Sequence, residues 1–170
     1  MNSQSRRGWA AASLLALLAA CATTPAPPGA PGAPSTAAPA GAPTIASEQR
    51  RLADEVRGTP VVVETTPEGR LRVEVPLEFC FDHGRSAVKP PLAAVLDRVA
   101  AGLRKQSAFS VRVGAPTDAR GAGGEVFARD RAASVRDYLV ARGVPPTRFA
   151  AIGRADQPGV EVLIADTGAR

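Results

Sequence analysis

Apolar and polar residues alternate from Leu71 onward. Leu71, Val73, Val75, Leu77, Phe79 and Phe81 share one face, and Arg70, Arg72, Glu74, Pro76, Glu78 and Cys80 share the other. A period of two predicts a strand with one buried face. Thr59 to Thr65 forms the other arm of a hairpin across Thr66-Pro67-Glu68-Gly69. Pro76 has no N–H for a ladder and hints at an edge or a bulge.

The period then changes to that of a helix. Leu92, Val95, Leu96, Val99 and Leu103 form one apolar stripe and predict a helix from Pro90 to Lys105. Pro90-Pro91 suits its first turn, and Arg104 and Lys105 complement the dipole at its end. Phe109 to Val113 reads as a short strand, and Gly114 to Gly124 as a polar loop. A second helix is expected from Glu125 to Arg142, with Phe127, Ala128, Val135 and Leu139 inward and Gly143 as its stop. Phe149 to Ile152 and Val160 to Ala165 are two further strands. Ahead of the hairpin, Ser47-Glu48-Gln49-Arg50 caps a short helix to Arg57, ended by Gly58. The order β-β-α-β-α-β-β predicts an α+β fold, a sandwich with helices packed on one mixed sheet.

The pattern before residue 47 is different. Arg6 and Arg7 precede an apolar run from Trp9 to Ala20. A bilayer-spanning helix needs roughly 20 residues, so this shorter run reads as the core of a signal peptide. It ends in Leu18-Ala19-Ala20-Cys21, which resembles a bacterial lipobox. That resemblance implies removal of residues 1–20 and lipidation of Cys21, with stable membrane anchoring through several acyl chains. Ala22 follows instead of Asp, the pattern that implies outer-membrane sorting. Residues 21–46 form a tether rich in Pro, Ala and Gly, without charge. Such a segment cannot repay its ordering entropy by burial and is expected to be disordered. At ~3.1 Å per residue it reaches at most about 80 Å. The division expected is therefore a signal peptide at 1–20, a lipidated tether at 21–46, an N-terminal extension at 47–70 and the main domain at 71–166.

Composition narrows the chemistry. All but two of the 21 basic residues are Arg, which reflects codon bias more than a polyanionic partner, despite the net charge of +5. Aromatics at 4% leave little for base stacking, and an exported protein does not meet nucleic acid. Two Cys and one His rule out a multi-cysteine or multi-histidine metal site. Cys80 reads as a packing residue on the more polar strand face, and His83 as a loop residue without chemistry. No nucleophile–base set is present, so no enzyme activity and no cofactor are expected.

One succession of segments is more specific. Leu77-Glu78-Phe79-Cys80-Phe81, Ser86-Ala87-Val88-Lys89-Pro90, Pro116-Thr117-Asp118-Ala119-Arg120-Gly121, Arg131-Ala132-Ala133-Ser134-Val135, Gly143-Val144 and Val160-Glu161-Val162 follow one another. This order resembles the OmpA-like peptidoglycan-binding domain family, over about Leu71 to Ala165. With a lipobox and a tether in front, the chain resembles the family's peptidoglycan-associated lipoproteins. The resemblance implies recognition of diaminopimelate in the peptidoglycan stem peptide. Asp118, with Thr117 before it, matches the family's aspartate, and Arg131 its arginine. A guanidinium can fork onto the ligand carboxylate while an aspartate takes the ammonium. Spacing alone leaves the plainer alternative of a salt bridge between the two, or solvated charges.

The departures from the family bear on function. Pro116 stands where the family has His, Gly124 where it has Asn, and Ala128 replaces a frequent Ser. Residues 154–159 are short and lack the family's Asn-Arg-Arg. The first reading is a lipoprotein on the periplasmic face of the outer membrane that binds peptidoglycan, with other envelope proteins as further partners. The alternative is an OmpA-like scaffold subunit of an envelope complex that has lost peptidoglycan binding.

Overall fold

A computed structural model describes residues 44–118 and 123–167. The expected signal peptide, Cys21, nearly all of the tether, and Ala119 to Gly121 of the quoted motif lie outside the described residues.

The first helix, α1 (Ile45–Glu55), begins two residues before the expected Ser47. Thr44 is its N-cap: the Ser47 N–H donates to Thr44 Oγ1 at 3.2 Å, and the Thr44 N–H donates to Ser47 Oγ at 2.8 Å. This reciprocal box satisfies donors that the first turn otherwise leaves bare. Ser47 is thus the third helical residue and not the cap, and Ile45 and Ala46 belong to the helix instead of the tether.

The strands β1 (Val62–Thr65) and β2 (Leu71–Pro76) form the hairpin. Leu71, Val73 and Val75 are buried as the alternation requires. The strand then stops at Pro76, five residues short of the expected Phe81. A 3-10 turn over Leu77–Phe79 replaces it. A strand residue turns the next side chain to the opposite face, and a 3-10 residue does not, so the phase is lost. Cys80 consequently points inward and is fully buried, against the expectation of a polar-face position. Its thiol donates toward the carbonyls of Val75 and Pro76, each at 3.2 Å.

Helix α2 (Pro90–Lys105) has the expected bounds and buries the whole predicted stripe. Burial of each such side chain stabilises by about 1.5–3 kcal/mol. Strand β3 (Phe109–Ala115) runs two residues beyond Val113. Helix α3 (Gly123–Ala141) starts two residues before Glu125 and ends one before Arg142. Its end is a Schellman turn: the Gly143 N–H reaches the Val140 carbonyl at 2.9 Å, and the Val144 N–H the Leu139 carbonyl at 3.1 Å. Gly143 has φ +88°, a conformation that glycine adopts without a Cβ penalty. After a 3-10 turn at Pro146–Arg148 come β4 (Phe149–Arg154) and β5 (Gly159–Asp166).

The five strands lie in the order β1-β2-β5-β3-β4. The β3–β4 pair is parallel and the others antiparallel, giving the mixed sheet of an α+β fold. Val75, Val73 and Leu71 stand opposite Val160, Val162 and Ile164. They form one core with Phe109, Val111 and Val113 of β3 and the apolar stripes of the helices. Residues 47–70 add a helix and an edge strand to this same sheet. Its other face is polar: Arg72 pairs with Glu64, and with Glu161 at 3.7 Å.

Candidate functional site

Helix α3 is only weakly amphipathic because a charge sits in its buried stripe. Ala128, Arg131, Ala132, Val135 and Leu139 all face inward, and Arg131 is 0% exposed. A buried guanidinium requires hydrogen bonds and polarisable neighbours. Arg131 has both. The rings of Phe81 and Phe127 lie 4.9 and 4.3 Å from it. Its Nε donates to the Arg85 carbonyl at 3.0 Å, Nη1 to the Pro116 carbonyl at 3.1 Å, and Nη2 to the Asp82 carbonyl at 3.4 Å and to Asp118 Oδ2 at 3.2 Å. Four of the five guanidinium N–H groups are therefore engaged, three of them by backbone.

These bonds join three parts of the fold. The Asp82–Arg85 loop follows the 3-10 turn, Pro116 and Asp118 follow β3, and α3 supplies the arginine. Gly84, at φ +65°, turns the loop so that its own N–H donates to Asp118 Oδ2 at 3.1 Å. His83 Nδ1 lies 3.0 Å from the same oxygen. The Asp118 side chain is 18% exposed and that of His83 92%. The Gly84 amide above all holds the Asp118 carboxyl below the usual aspartate range; burial opposes it, and the Arg131 charge adds a smaller effect in the same direction as the amide. Thr117, two residues past the end of β3, is half-buried and precedes Asp118 in the chain. Lys89 donates to the Glu78 carbonyl at 2.9 Å and sits 3.6 Å from Asp82 on the rim.

Of the residues singled out in the sequence, Asp118 and Arg131 thus meet at one place, with Thr117 next to Asp118 in the chain. His83, read as a residue without chemistry, joins them, as does the Gly84 amide. Neither gives a periodic signal, since both reach Asp118 from the far side of α2 and β3 in sequence. Cys80 is inert: burial pushes its thiol up to about 11. Among the described residues no three His, Cys, Asp or Glu side chains gather as a metal site.

Residues 80–162 match the model of the OmpA family. Those residues are an OmpA-family domain. No curated protein matches the sequence. Among solved structures, the OmpA-family domain and its flanks are similar to the cell wall anchor of the T6SS from Pseudomonas aeruginosa. That likeness has 24% identity and a TM-score of 0.56 over 74% of this chain and 98% of that one. A putative MotB like protein from Desulfovibrio vulgaris is similar at 18% identity and a TM-score of 0.55, over 72% and 96%. The periplasmic domain of Helicobacter pylori MotB (residues 97-256) follows at 18% identity and 0.52, over 62% and 86%. At these identities the neighbours support the fold of the OmpA-family domain. The Asp118–Arg131 pair lies within the matched segment.

Proposed function

We propose that the chain is an outer-membrane lipoprotein whose OmpA-family domain binds peptidoglycan non-covalently through diaminopimelate, tying membrane to wall. The observation that carries this reading is the partly open Asp118 carboxylate, held ionised by the Gly84 amide and the Arg131 guanidinium. An ionised carboxylate fixed in one orientation suits an ammonium. Arg131 serves from below: it orients Asp118 and adds positive potential for the ligand carboxylate. Thr117 lies at the rim as a further contact. Cys21 carries the acyl chains, and the tether ahead of α1 spans the distance to the wall.

The complete burial of Arg131 favours a second reading, a scaffold in which Asp118 and Arg131 are a structural pair. Sedimentation of the full chain with purified sacculi separates the two, with free meso-diaminopimelate as competitor. Competed binding is the result expected of a wall-binding protein, and no co-sedimentation would leave the scaffold. Anchoring is read separately. Cys21→Ser should abolish labelled palmitate uptake and release the protein from membranes, and a variant that stays membrane-bound and labelled would overturn the lipoprotein assignment.

A further inference from the structure

Two donors and one ring nitrogen converge on Asp118 Oδ2, and they are not equally fixed. The Gly84 amide belongs to the backbone. Arg131 is locked by burial, two rings and three carbonyls. The His83 ring is 92% exposed, and Asp118 is its polar contact. Arg131 bonds the carbonyls of Asp82 and Arg85, one on either side of His83 and Gly84, so the loop backbone is pinned while the imidazole projects into solvent. Exposed side chains change rotamer on the picosecond to nanosecond scale. The His83 ring can therefore leave Asp118 without any movement of the loop.

We propose that His83 is a displaceable gate on the candidate site: its ring nitrogen, 3.0 Å from Asp118 Oδ2, stands where the ammonium of the ligand makes its contact, and the ligand swings it aside. The gate rests on reading Asp118 as the ammonium acceptor. Among the described residues, the charged groups linked through ion pairs to this site are Asp118 itself, Asp82 in the same loop, Arg131 of α3 and Lys89 ahead of α2. None of the other three takes the ring's place on Oδ2. Lys89 is tied to Glu78 and Asp82, the Asp82 carboxylate carries the wrong charge, and Arg131 approaches from the buried side. His83 thereby tunes affinity without shaping the fold.

The chain contains a single histidine, so one imidazole signal reports the gate directly. The test is nitrogen-15 NMR of the full chain titrated with a diaminopimelate-containing muropeptide, beside calorimetry on wild type, His83→Ala and the Asp118→Asn background. The expected result has three parts. The imidazole resonance shifts on binding toward its position in Asp118→Asn. His83→Ala binds about two- to fivefold more tightly, the range for losing an exposed competing pair. The same substitution has no effect on binding in the Asp118→Asn background. Wild-type binding with an unmoved imidazole signal, or weaker or equal binding by His83→Ala, would overturn the gate and leave the binding reading standing. Absence of binding by both wild type and His83→Ala would overturn the binding reading and the gate with it.

Discussion

Arg131 and Asp118 face each other at 3.2 Å from unlike surroundings: the arginine side chain is 1% exposed and the aspartate 18%. The pair is a boundary between core and surface. Its inner half holds three segments together, and its outer half meets solvent. The two residues therefore carry different consequences when replaced.

Replacing Arg131 should damage the fold. Arg131→Ala leaves the carbonyls of Asp82, Arg85 and Pro116 without this donor and opens a void between Phe81 and Phe127. Breaking a buried charged network from one side costs about 3–5 kcal/mol. Thermal melting should fall by roughly 10 °C or more for a domain of this size. Arg131→Lys should recover little, because an ammonium cannot reproduce a planar fork. A melting curve for Arg131→Ala within about 2 °C of wild type would show that the guanidinium is not structural.

Replacing Asp118 should be milder and dependent on pH. Its carboxyl titrates below the ordinary aspartate value of about 3.9 in the folded chain. A depressed value means that the ionised form favours folding, so this contribution is complete above the unfolded value and is lost as pH falls through the folded one. Asp118→Asn should therefore be less stable than wild type at pH 7, and the gap should close on acidification below about pH 4. Denaturant titrations at several pH values measure it. A gap that persists unchanged at the acid end would contradict the linkage.

The Cys80 thiol should be silent in the native state. Burial raises it to about 11, so little thiolate exists at pH 8 and access is closed. In a Cys21→Ser chain, a thiol reagent at pH 8 should react only on unfolding. Rapid native labelling would mean that the 3-10 turn opens readily. The same shift has a stability sign: protonated thiol favours folding below the unfolded value of about 8.5, and that contribution disappears as pH rises through about 11.

Gly159 pairs with Pro76 where β2 and β5 begin their ladder. A Cβ there would lie 2.4 Å from the Val75 carbonyl oxygen, and backbone cannot yield as a side chain does. Gly159→Ala should cost about 1–3 kcal/mol by forcing the strands apart. Equal stability of the variant in urea would show that the ladder tolerates a shift.

Sequence periodicity located α2 to the residue because apolar stripe, proline start and basic end coincide there. It failed after Pro76, where a 3-10 turn replaced the strand and its phase was lost, hiding the burial of Cys80. Asp118 and Arg131 were legible through family resemblance. Their unequal exposure was not, because burial of Arg131 depends on Phe81 and three carbonyls from distant segments. The role of Ser47 in its cap was displaced by Thr44, which offers the same hydroxyl three residues earlier. His83 carried no local signal, since its contact exists only once the loop closes on β3.

The placement of β5 between β2 and β3 has a bearing on biogenesis. A ribosome delivers the chain from its N-terminus, and β5 is the last of the five described strands to emerge. Until residues 159–166 are free, the hairpin on one side and the parallel β3–β4 pair on the other flank an open slot. The sheet closes only when that strand slides in and bonds both neighbours at once. Closure of the sheet is thereby deferred until this strand has been made.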